Sequence, residues 1–147
     1  MRTAQFFALV LTALALVPVG AHFFAYPNKI AMGETSYFIA QRLFDGWAWL
    51  GIAMIGAILA DAIAAVASRG QMAPFVLAAL ASLLMLATLA IFFAFTFPAN
   101  QATANWTQVP DDWQYLRRQW ELSHAVNAII TFGAFCCMTL SVLLSRR

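Results

Sequence analysis

Residues Pro74–Phe97 read PFVLAALASLLMLATLAIFFAFTF, a run without a formal charge whose polar side chains are Ser82, Thr88 and Thr96. A helix needs about 20 mostly apolar residues, at about 1.5 Å each, to cross about 30 Å of hydrocarbon. Backbone groups cannot go unpaired in lipid, so such a run has to be helical. Pro74 opens it, at a position where a missing N–H costs nothing. Three further stretches meet the same test: about Gln5–Ala25, about Trp47–Ala67 and about Trp120–Leu144. Nothing alternates over about ten residues in the manner of a membrane β-barrel. The expected fold is all-α: an integral membrane four-helix bundle with structured outer loops, one domain over residues 1–147.

Composition agrees. Apolar residues make up 63% of the chain and charged residues 10%, whereas soluble domains run nearer one-half and one-quarter. Disorder requires the opposite balance. A net charge of +2, scattered along the chain, does not suit nucleic acid. Cys136 and Cys137 are adjacent and offer neither a disulfide framework nor metal spacing; mid-span, they read as small apolar residues.

The first span, with Arg2, Phe6–Val19 and then Val19-Gly20-Ala21, also has the layout of a cleavable signal peptide; it is expected to be kept as an anchor. Pro27, Pro98 and Pro110 are expected between spans, and Pro18 to kink the first. With a cytoplasmic amino terminus, the inner side holds Arg2, Arg69, Arg146 and Arg147. The outer side holds Lys29, Arg42, Arg117 and Arg118 with five acids. The basic counts tie, so the short inner connection Ser68–Ala73 and the terminal Arg pair decide. Both termini are expected in the cytoplasm, in a membrane of the bacterial cytoplasmic type.

The polar and aromatic residues gather at one end. All five Trp, all three Tyr, His22, His124, Asn28, Asn100 and Asn105 fall on the outer side. Chemistry or recognition therefore belongs at that mouth, the alternative being a heavily anchored interface without a site. Residues 34–44 can form a short helix on the interface. Pro110-Asp111-Asp112 is a helix-start signal, so the fourth helix is expected to begin near Asp111, above the lipid. At about 100° per residue, Trp113, Arg117, Trp120, His124, Asn127 and Thr131 then share one arc, with Tyr115 and Arg118 pointing away. A lipid-facing stripe would not gather such groups. This one should face the interior, where Asn127 and Thr131 either serve a site or join helices by hydrogen bonds.

His22 lies at a similar depth on the first helix. It either donates to a backbone carbonyl or, with His124, binds a haem or a quinone; no cofactor is firmly implied and no metal site is expected. Asp61, the one acid within a span, is expected to be structural and to reach the interface or pair with Arg69 or a terminal Arg. Gly56, Ala60 and Ala64 form a small-residue ladder that permits close packing, within the chain or against another copy.

Phe97-Pro98-Ala99-Asn100, Asn105-Trp106, Trp113 and Arg118-Gln119-Trp120-Glu121-Leu122-Ser123-His124 together resemble the anthrone oxygenase-like family of small four-helix membrane proteins. That family has a Pro-x-Asn after its third helix and a Trp-x-x-x-His at the start of its fourth. The resemblance covers about residues 97–145; the first half matches only in pattern. It departs where the family has an arginine three residues after the histidine, since this chain has Asn127 there. The resemblance implies cofactor-independent oxygenation of a flat hydrophobic aromatic, of anthrone or quinol type. Such chemistry needs an apolar slot, a base and donors to an enolate oxygen. Trp106, Trp113 and Trp120 would wall the slot, His124 would be the base, and Asn100, Asn105 and Arg117 would be the donors. Two other classes compete. One is an accessory or assembly subunit docking through the Gly56 face, as a homo-oligomer or with other membrane subunits. The other is a quinone- or haem-binding protein using His22 and His124. A transporter lacks support, as no broken helix pair or repeat is evident.

Overall fold

The structure is a computed structural model describing residues 1–146; Arg147, counted above with the terminal basic pair, lies outside the described residues. Its helices are α1 (Arg2–Ile30), α2 (Glu34–Gln41), α3 (Gly51–Ala67), α4 (Met72–Ile91), α5 (Phe97–Ala102) and α6 (Trp113–Leu144). Two short 3-10 turns, Arg42–Phe44 and Trp47–Leu50, link α2 to α3. A π-helical turn, Phe92–Thr96, joins α4 to α5.

Four stretches are long and apolar enough to cross a membrane: Arg2–Ile30, Trp47–Ala67, Met72–Ala102 and Trp113–Leu144. α1 packs against α3 and α6, and α4 packs against the same two. That is the cyclic order of an antiparallel bundle with short connections. An even number of passes brings both termini to one end, where the Gln5 amide donates to the Ser145 hydroxyl at 2.6 Å.

The elements outrun the expected spans. α1 continues through Pro27 to Ile30, so Pro27 lies inside a helix rather than between spans. The third helical stretch runs on through Pro98 to Ala102. A proline inside a helix forbids the bond to the carbonyl four residues back, here Ala94. The π-turn contains that residue and absorbs the mismatch without ending the helix. α6 begins at Trp113, two residues after the expected start, and residues 34–41 form the expected short helix.

The bundle is small inside and large outside. Its core is mostly alanine (Ala8, Ala15, Ala57, Ala64, Ala78, Ala81 and Ala134), with Met85 and Met138 filling between. Phe6, Phe7, Leu14, Ile55, Leu59, Ile63, Leu83 and Phe132 stand exposed on the outside. Water would expel that surface, and lipid accepts it, because between helices in a membrane it is close packing that holds. On α1 the inward residues are Gln5, Ala8, Thr12, Ala15, His22 and Lys29, the spacing of a heptad seam.

One alternative closes and one expectation needs correcting. Ala60 and Ala64 are core residues, and a Cβ at Gly56 would stand 3.4 Å from Leu11 of α1. The ladder is therefore covered by this chain's own first helix and is no face for a second copy. Asp61 does not reach the interface and, among the described residues, pairs with no arginine. It is fully buried, with the Thr12 hydroxyl 3.3 Å from each carboxylate oxygen.

Candidate functional site

Beyond the alanine core, at the aromatic-rich end, α1 and α6 are still adjacent and α2 closes over them. The heptad seam of α1 carries His22 and Lys29 inward there. The inward arc of α6 carries Trp113, Arg117, Trp120, His124, Asn127 and Thr131, while Tyr115 and Arg118 are exposed. The arc expected of the sequence is thus the arc that faces the interior.

The two imidazoles meet. The rings of His22 and His124 are 4.3 Å apart, centre to centre, and tilted by 37°. Trp120 lies edge-on to both, at 4.7 Å from His22 and 4.1 Å from His124. Phe44, from the turn after α2, closes on His22 at 4.2 Å, and Trp47 stands behind it at 6.1 Å. The Nδ1 atoms of both histidines are buried without a hydrogen-bond partner. His22 therefore does not donate to a kinked backbone from that nitrogen. Rings stacked at this distance leave no room for a macrocycle between them, so the pair does not fit axial ligation of one haem. Among the described residues, no three His, Cys, Asp or Glu side chains gather as metal ligands.

Next to the histidines is a polar cluster that sequence reasoning missed. The Lys29 ammonium lies 2.7 Å from Glu121 Oε1, and the two side chains are 4% and 0% exposed. The Tyr37 hydroxyl donates to the same oxygen at 2.9 Å, and the Gln41 amide donates to the Tyr37 hydroxyl at 2.9 Å. Burial, and after it the Glu121 carboxylate, pushes the Tyr37 phenol far above its ordinary value, so it remains a donor. Lys29 also sits 4.6 Å from the Trp120 ring centre and 4.8 Å from that of Phe44. The ion pair and the histidine pair thus share two walls. Lys29 and Glu121 read in the sequence simply as outer-side charges; the seven-residue step from His22 to Lys29 is the signal that Lys29 belongs inside.

The other expected site residues divide. Asn100 is at the centre, but as an acceptor: its Oδ1 takes the indole N–H of Trp120 at 2.8 Å and of Trp106 at 3.2 Å. Trp106 and Trp113 do not stand apart as walls of an open slot. They pack edge-on or tilted around Tyr37 and Phe38. Arg117 turns away from His124, donates to the Met32 carbonyl at 2.7 Å and lies over Trp113 and Tyr37. Asn105 is exposed, the middle one of three successive left-handed residues from Ala104 to Trp106. Asn127 donates to the Thr88 carbonyl at 3.2 Å and so joins α6 to α4, while its buried Oδ1 has no partner.

No family model matches this chain, and neither does any curated protein or solved structure, so the likeness of residues 97–145 to one family rests on those motif residues.

Proposed function

We propose that this integral membrane protein binds a flat aromatic bearing a hydroxyl or an acidic benzylic carbon, and takes a proton from it at the His22–His124 pair. The supporting observation is the pair itself. Two buried ring nitrogens without partners are costly, and a plug built only for stability would avoid them. A ligand hydroxyl or enol supplies the missing partner, and an imidazole is the side chain whose basicity suits proton transfer near neutral pH. Phe44 sits on the short turn after α2 rather than on a spanning stretch, so it is the wall able to swing out and admit a ring.

The finer reading, drawn from the family resemblance, is oxygenation without a cofactor. His124 removes the benzylic proton of an anthrone, and the resulting carbanion reduces dioxygen. One oxygen atom becomes the new carbonyl and the other leaves as water, so anthrone and dioxygen give anthraquinone and water. In this scheme Trp120, held by Asn100, and Phe44 flank the ring. Lys29 is the cation nearest the developing enolate. The assembly-subunit alternative loses its docking face, because α1 covers Gly56.

The test uses the full chain in lipid nanodiscs with anthrone as probe, following anthraquinone absorbance and oxygen uptake. We expect one dioxygen consumed per anthraquinone, and a loss of about 10²-fold or more in turnover for His124→Ala. Turnover unchanged in His124→Ala would remove His124 as the base. Binding of anthrone without turnover would remove oxygenation and keep the ligand site.

A further inference from the structure

A groove of about 410 Å³ runs along the outside of the bundle between α6 and the end of α4. Its lower part is apolar, lined by Ile91, Phe95, Leu122 and Val126, and its upper part carries Tyr115 and Arg118. Two contacts shape the floor. The Ser123 and Thr96 hydroxyls hydrogen-bond at 2.7 Å, and the Gln119 amide donates at 2.8 Å to the carbonyl of Phe95, within the π-turn. The π-turn of the α4–α5 stretch thus forms part of the groove wall, and such bulges often mark functional positions.

Depth can be counted on both walls. About 20 residues cross the hydrocarbon, so starting from Leu144 its far edge falls near His124, and starting from Met72 it falls near Ile91. The groove straddles that edge. Arg118 stands six residues beyond His124, about 9 Å further along the axis, where headgroups lie. It is exposed and makes no ion pair among the described residues.

We propose that this groove binds one anionic phospholipid of the surrounding bilayer, with its phosphate on the Arg118 guanidinium and one acyl chain laid over Phe95, Leu122 and Val126. A guanidinium matches phosphate oxygens two at a time. Tyr115, one turn further out on α6, supplies an amphipathic ring at the headgroup level. The volume sits at the small end of ligand pockets, which suits one chain and leaves the second in the bilayer. The site is separate from the histidine pair, which lies on the inward side of α6.

The experiment is native mass spectrometry of the full chain released from nanodiscs holding phosphatidylglycerol and phosphatidylcholine of matched chains in equal amounts. We expect one phosphatidylglycerol retained with a preference of about five-fold, the size expected of one basic residue at an anionic lipid surface. Arg118→Gln should abolish the preference. Leu122→Trp, which fills the groove, should also abolish it, and Arg69→Gln at the opposite end should leave it intact. A preference that survives Arg118→Gln, or a wild-type protein that retains both lipids equally, overturns the proposal. In a parallel nanodisc sample with added palmitate, retention of palmitate in place of the phospholipid overturns it as well. Arg118 is a surface residue, so its variant remains informative even if Leu122→Trp fails to fold.

Discussion

Glu121 shows how much one side chain can organise. Its Oε1 receives the Lys29 ammonium and the Tyr37 hydroxyl, tying α1 and α2 to α6. Removing one member of a buried ion pair leaves a charge uncompensated, at a cost of about 3–5 kcal/mol. Glu121→Gln should therefore destabilise the protein by about that amount in a detergent unfolding titration. The double variant Lys29→Met, Glu121→Gln should recover most of the loss. Tyr37 adds a pH dependence with a definite sign. The folded state holds the phenolic proton, while the unfolded chain releases it near pH 10. Above that pH the unfolded state binds fewer protons, so stability falls as pH rises. The part of that fall removed by Tyr37→Phe measures this one group. Asn100→Leu orphans two indole N–H groups at once and should cost about 2 kcal/mol or more, with a shift in tryptophan fluorescence; Asn100→Asp should retain the acceptor. The sequence brought out the tryptophans, the histidines and Asn100. It did not reveal the ion pair, because Lys29 and Glu121 are far apart in the chain and each resembles an ordinary loop charge.

At the scale of elements, periodicity and prolines were unequal guides. The arc on α6 was legible because six side chains repeat at helical spacing and charge is expensive in lipid. Helix ends were not. Pro27 and Pro98 read as terminators, yet α1 passes through the first and a π-turn carries the chain through the second. A propensity rule prices the lost hydrogen bond but cannot see neighbours such as Gln119, which satisfies the carbonyl of Phe95. Deleting Ala94 should restore regular α-helix and rotate α5 by about 100°. Asn100 would then leave the two indoles, and the near-ultraviolet circular dichroism of tryptophan should change while helix content stays constant. The small-residue ladder makes a separate prediction. Ala64→Leu adds bulk to a core site without free space and should cost about 1–3 kcal/mol. Gly56→Ala meets Leu11 at the edge of ordinary contact and should be nearly neutral. Both effects should be independent of protein concentration, since the partner helix belongs to the same chain.

For the whole molecule, the class of fold followed from the solvent that its composition demands. Four apolar runs, one short connection and one aromatic-rich end were enough to give a bundle with its histidines and tryptophans collected at one end. What could not be read was whether that end stands open. Trp106, Trp113 and Trp120, expected as walls with a gap between them, close on Tyr37, Phe38 and the histidines instead, because aromatic edges and faces attract when nothing else fills the space. Adjacency of the first and last long helices has a further bearing, on biosynthesis. Lys29 and His22 leave the ribosome roughly ninety to a hundred residues ahead of Glu121 and His124. Until the final helix arrives, an ammonium and an imidazole must wait at the translocon or among headgroups, without counter-charge. Ribosome stalling after residue 110 should leave a nascent species that quality-control proteases recognise, and completion of translation should be the moment at which the cluster locks.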